Sequence, residues 1–211
     1  MRIQLSDHFT TGKLLRFVAP SIVMMIFTSI YGVVDGLFVS NYVGKTAFAA
    51  VNLIMPFLMA ISALGFMIGT GGSAFVSKTL GEGKKELANQ YFSMLVTIAA
   101  IGGFVLSVLR FIFMRRIVMA FGAAGDLIDY CTLYGRISCI SLTAFMLQNV
   151  FQSFFVAAGK PQLGLKVIVA AGCTNIVLDA LFIGVLHFGI AGAAFATMTS
   201  EFIGGLLPVV Y

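Results

Sequence analysis

The chain has 211 residues and a net charge of +5, yet 60% of it is hydrophobic and only 10% charged. Soluble domains carry about 25% charged residues, so this composition and a mean hydropathy of +1.04 exclude a soluble globular domain. The positive balance sits between apolar stretches and reads as membrane topology, not as a nucleic-acid surface.

A spanning helix needs about 20 mostly apolar residues. Charge-free runs at residues 17–34, 46–77, 87–109, 137–159, 167–178 and 180–200 predict six spans, at about 15–39, 47–72, 90–111, 131–157, 165–187 and 190–210. The runs are too long for strands and lack period-two alternation, so the fold class is all-α: a polytopic six-transmembrane-helix bundle. Residues 1–13 are polar and mixed in charge, unlike a secretory signal, and residues 10–16 read as a helical lead-in along the inner surface. Pro20 falls in the first turns of span 1. Gly44 marks an outer turn, and Pro56 is expected to bend span 2. Residues 78–90 form the main inner loop and 120–129 an outer loop. Gly159-Lys160-Pro161 is a sharp inner turn and His187-Phe188-Gly189 a tight outer one.

With the N-terminus in the cytoplasm, Arg2, Lys13, Arg16, Lys78, Lys84, Lys85, Lys160 and Lys166 fall inside. Lys45, Arg110, Arg115 and Arg116 fall outside, and Arg136 lies within span 4. The inside excess favours this orientation. Glycines inside the spans (Gly65, Gly69, Gly71-Gly72, Gly102-Gly103, Gly192) predict close helix packing, and none sits in a nucleotide-binding loop pattern. Cys131, Cys139 and Cys173 lack metal-like spacing and read as small packing residues. The chain ends at Tyr211 within an apolar run, which suggests truncation.

Ionisable residues inside a membrane cost about 2.5–3.5 kcal/mol each at its centre, so Asp35, Arg136, Asp179 and Glu201 stand out. Residues four apart share a helix face, which pairs Tyr31 with Asp35, Asn175 with Asp179 and Thr197 with Glu201. At 1.5 Å per residue, Asp35, Asp179 and Thr197 lie roughly 8, 12 and 10 Å in from their outer ends, with Tyr134 at a similar level and Glu201 deeper. Two carboxyls at one depth can share a cation, pair with a base, or hold a proton. The oxygen donors Asp35, Asn175, Asp179 and Thr197 suit Na⁺ or H⁺ and not a transition metal. Arg136 is expected to play a structural or electrostatic part. No catalytic group set is visible, so no enzyme activity and no cofactor are expected.

These residues resemble the multidrug and toxic compound extrusion (MATE) family. The resemblance is carried by Tyr31-Gly-Val-Val-Asp35-Gly-Leu-Phe-Val, Gly81-Glu-Gly-Lys, Tyr134-Gly-Arg136, Phe155-Val-Ala-Ala-Gly159-Lys-Pro, Asn175-Ile-Val-Leu-Asp179-Ala-Leu-Phe-Ile and Gly189-Ile-Ala-Gly192-Ala-Ala-Phe-Ala-Thr197. The resemblance implies one N-terminal lobe of a twelve-helix transporter in the plasma or inner membrane. Such a transporter exports amphipathic organic cations in exchange for Na⁺ or H⁺. It implies a coupling site at Asp35, Asn175, Asp179 and Thr197, with Tyr31 and Tyr134 close by. The C-terminal lobe, absent from this chain, or a second copy is the expected partner. The family often has Gln where this chain has Glu201, which leaves open an added proton site or a substrate-charge preference. A lipid-linked sugar flippase and a non-transporting structural membrane subunit remain as alternatives.

Overall fold

Backbone N–H and C=O groups in hydrocarbon must find partners within the protein, and an α-helix satisfies them within one segment. The computed structural model describes residues 11–210, and among them the regular elements are all helical. Helix α1 (Thr11–Phe38) continues into a π-helical turn, Val39–Val43. Then come α2 (Lys45–Gly81), α3 (Lys85–Ala120), α4 (Asp126–Ala157) and α5 (Pro161–Asp179). Helix α5 also runs into a π-helical turn, Ala180–Val185, before α6 (Gly189–Val210). Among the described residues, six helices are long and apolar enough to cross a membrane. Arg2, His8, residue 10 and Tyr211 lie outside the described residues.

The helices overrun the spans expected from charge. Helix α2 reaches Gly81 and α3 begins at Lys85, so the inner loop expected at 78–90 shrinks to a turn. Helix α3 continues to Ala120, placing Arg115 and Arg116 on a helix instead of in the outer loop. Arg115 meets Asp129 at 3.5 Å, and Arg116 lies 5.9 Å from the Phe113 ring centroid. The cause is that charge marks where hydrocarbon ends, not where a helix must end. The 37 residues of α2 span about 55 Å, against a hydrocarbon core of about 30 Å. Residues 11–16 are likewise continuous with α1 and not a separate lead-in. Helix α2 is also continuous through Pro56. The outer turn after α5 has His187 at φ 52° and Gly189 at φ 60°, two left-handed positions on either side of Phe188 that reverse the chain within a few residues.

Helix α4 is the centre of the bundle. It packs against α2, α3 and α6, while α1 lies along α5 and α5 along α6. Half of α4's apolar window is buried, against 11% of α1's. Large apolar side chains such as Met25, Met67 and Phe104 point outward and are more than half exposed. In water such a surface would aggregate; in a bilayer it is the lipid- or partner-facing surface.

Close approach to α4 is set by glycine. A methyl group on Gly65 would stand 2.8 Å from Met146 Cα, on Gly69 2.9 Å from Val150 Cα, and on Gly103 2.9 Å from Thr143 Cα. Gly205 abuts the Ala144 backbone in the same way. The neighbours Gly71 and Gly102 face open space, so one member of each adjacent pair carries the packing. Cys131 and Cys139 are buried as expected, but Cys173 is exposed and is not a packing residue.

Gly103→Ala should therefore cost about 1–3 kcal/mol through overpacking, whereas Gly102→Ala should be neutral or slightly stabilising. Thermal unfolding of the two variants in detergent checks the contrast.

Candidate functional site

A partly open cavity of about 280 Å³ reaches all six helices. Its wall includes Tyr31 and Asp35 from α1, Met55 and Ser62 from α2, and Arg110 from α3. It also takes Tyr134 and Gln148 from α4, Asn175 from α5, and Thr197 and Glu201 from α6. Helix periodicity aims these side chains: Tyr31 and Asp35, Asn175 and Asp179, and Thr197 and Glu201 are each one turn apart. Gly172 lets α1 close on α5, since a methyl group there would stand 2.9 Å from Tyr31 Cδ1.

The outer part of the cavity gathers oxygen atoms. Asp35 is 7% exposed, Asn175 and Tyr134 1%, and Asp179 0%. Asp179 sits behind the wall, and its carboxyl and that of Asp35 lie within electrostatic reach of each other. Asp35 Oδ1, both Asp179 carboxylate oxygens, Asn175 Oδ1 and Tyr134 Oη are buried without a hydrogen-bond partner. Buried polar atoms normally have partners, so this many unpaired oxygens converging from three helices make this level the candidate site. Thr197 lines the same cavity from α6 and is near Tyr134, with no hydrogen bond of good geometry between them.

Both acids precede a π-helical turn. Asp35-Gly36-Leu37-Phe38-Val39 and Asp179-Ala180-Leu181-Phe182-Ile183 are near-copies, and in each the helix widens downstream of the aspartate, from four residues after Asp35 and from the residue after Asp179. π-turns occur often at functional sites. The repeated Asp-x-Leu-Phe was the sequence signal for this pairing, beyond matching depth.

Two expectations change. Arg136 does not reach the cavity: it is exposed and its guanidinium lies 5.4 Å from the Phe111 ring centroid. Arg110, assigned by charge to the outer side, is 3% exposed and lines the cavity. Its signal was helical spacing, because Ala99, Gly103, Arg110, Met114 and Val118 are all buried on α3. Glu201 stands beside Ser141 and within the field of Arg110.

The family model described as MatE matches residues 20–181. The chain belongs to the MatE family. This MatE chain is 27% identical over 199 residues to the multidrug export protein MepA of Staphylococcus haemolyticus, and 23% over 202 residues to that of Staphylococcus saprophyticus. Each match covers 94% of this chain and 44% of the relative, so the chain spans about half the length of the curated relatives it matches. Solved structures agree. A MATE structure in complex with MaD5 superposes with a TM-score of 0.87 at 27% identity, over 93% of this chain and 44% of that one. An outward-facing multidrug resistance MATE family transporter gives 0.86 at 26%, over 95% and 47%. A transporter of the MOP superfamily from Pyrococcus furiosus, described as having a binding pocket of reverse polarity, also gives 0.86 at 26%, over 95% and 46%. The fold of this MatE chain is thus a multi-pass helical membrane bundle matching one half of those transporters.

Two variants separate the cavity from its surroundings. Arg136→Gln should cost no more than about 1 kcal/mol, the worth of an exposed cation–π contact. Asp179→Asn should leave the melting temperature unchanged or raise it, because it removes one of two neighbouring buried charges without creating a void. Thermal unfolding in detergent at neutral pH reads both.

Proposed function

We propose that this chain is one lobe of a multidrug antiporter that exports amphipathic organic cations in exchange for Na⁺ or H⁺. The observation that carries the proposal is the convergence of unpartnered oxygens from Asp35, Asn175 and Tyr134 on the cavity wall and from Asp179 behind it. Carboxylate and carbonyl oxygens are the donors a hard cation takes. A proton shared between the two carboxyls would meet the same need. Thr197 and Tyr31 support the site, and Glu201 adds a third acid deeper in the cavity.

Coupling follows from linkage. An ion that binds Asp35 and Asp179 favours the arrangement in which those oxygens converge. A cationic substrate drawn to the same acids competes with it. Each ligand then weakens the other by the same factor, and alternating access of two lobes around the cavity makes that competition directional. The second lobe is supplied by a C-terminal half or a second copy meeting the exposed apolar faces. The N-terminus lies in the cytoplasm and the protein in the plasma or inner membrane. Moving Arg110 from the outer surface into the cavity sharpens the inside excess of Lys and Arg that supports this orientation.

The flippase alternative would need a basic cavity for pyrophosphate. Arg110 is a feature of that kind, but the same wall carries Asp35 and Glu201, with Asp179 behind it, and the balance is acidic.

In the transporter carrying this lobe, Asp35→Asn and Asp179→Asn should each reduce ion-driven dye efflux from cells at least about tenfold while leaving membrane expression intact. Undiminished efflux in both variants would overturn the coupling assignment.

A further inference from the structure

The deeper part of the cavity has a different chemistry from the acid level. Counting from the helix ends, Arg110 and Glu201 lie roughly 3–6 Å further in than Asp35. Arg110 is 97% buried by its 3% exposure and lines the cavity. Its Nε and Nη2 donate to nothing. Glu201 supplies an opposing field. Yet among the described residues the ion pairs within 4 Å are Lys84–Glu82 and Arg115–Asp129, so these two charges do not close on each other. The guanidinium instead rests 5.9 Å from the Phe57 ring centroid and reaches the Cys139 thiol, contacts that orient it and leave Nε and Nη2 unused. Gln148 Oε1 is also buried and unpartnered on the same wall.

A guanidinium cannot lose its charge in a protein, and leaving charged donors unfilled in a buried site is costly. Its planar fork matches a carboxylate bidentately. Glu201 does not fill the fork, so an acceptor from outside the lobe is what the geometry lacks.

We propose that Arg110 is a specificity-determining residue that anchors a carboxylate carried by the exported molecule. The cavity then takes amphipathic zwitterions. Their acid group docks on Arg110, and their ammonium group faces Asp35 and Glu201, with Gln148 Oε1 free to accept an ammonium N–H. This deepens the exporter reading above and rests on it.

The test uses the transporter carrying this lobe, purified in detergent, and two fluorescent probes. One is a dansyl amphiphile with a tertiary amine and a carboxylate; the other is its methyl ester, which keeps the amine and loses the acid. The wild type should bind the acid about tenfold or more tightly than the ester, as expected for a charged hydrogen-bonded pair. Arg110→Gln should abolish that preference and leave the ester's Kd within about twofold, and Arg110→Lys should keep part of it. Equal binding of both probes by the wild type overturns the assignment. So does an Arg110→Gln variant that weakens both probes alike, since that marks a purely structural arginine. Stabilisation by chloride alone, lost in Arg110→Gln and unaccompanied by an acid preference, makes the site one for an inorganic anion and also overturns it. Ester binding that Asp35→Asn abolishes, without any acid preference in the wild type, leaves the exporter reading standing and removes only Arg110's role. Binding of neither probe removes both.

Discussion

A carboxyl group is expensive in hydrocarbon, and this lobe holds two of them together. Asp35 and Asp179 come from helices far apart in sequence, and three of their four oxygens are buried with no partner. Nothing in a bundle of apolar helices requires this. The same helices would pack as well around leucines, and replacing buried charge with well-packed apolar groups often stabilises a protein. Packing therefore gives no reason for the pair, and the proposed coupling role does. The rest of the lobe can be understood as the scaffold that keeps water and lipid out of that pair while leaving a cavity against it.

The scaffold works by contrast in tightness. Around α4, glycines on α2, α3 and α6 bring backbones so close that a methyl group has no room, and such packing is the principal cohesive force available where lipid is as apolar as leucine. Helix α1 is held differently. It lies along α5 and is mostly exposed elsewhere. The helix that carries Asp35 is thus the least embedded of the six, while Tyr134 and Asn175, which face it, belong to more deeply buried helices.

The sequence made the six spans and the acid level legible because both follow from one-dimensional rules. Apolar length counts membrane crossings, and 1.5 Å per residue converts position into depth. Asp35, Asn175, Asp179, Thr197 and Tyr134 meet where those rules put them. Helix ends were less legible, since Lys78, Lys85 and Arg115 mark the edge of the hydrocarbon while the helices run past it. Arg110 and Arg136 were read from charge alone. Arg136 sits among apolar neighbours in sequence but points outward to Phe111, and Arg110 sits near an expected loop but belongs to the buried face of α3. Rotation about a helix axis decides such cases, and depth does not report it. The two π-turns were invisible for a related reason: they leave the hydrophobic pattern unchanged while altering the backbone ladder.

The distribution of the site over the helices also bears on how the protein is made. Every group that accompanies Asp35 at its level, namely Tyr134, Asn175, Asp179 and Thr197, belongs to α4, α5 or α6. Synthesis delivers α1 first. Its carboxyl therefore enters the bilayer before any companion exists, and its insertion depends on the helix's own apolar residues, such as Ile22, Ile26, Phe27 and Ile30. A mean hydropathy of 2.0 over its apolar window gives it the means to cross unaided. Helices α4 and α6, with windows of 1.4, are the least apolar of the described spans, and both arrive when three or more helices are already in place.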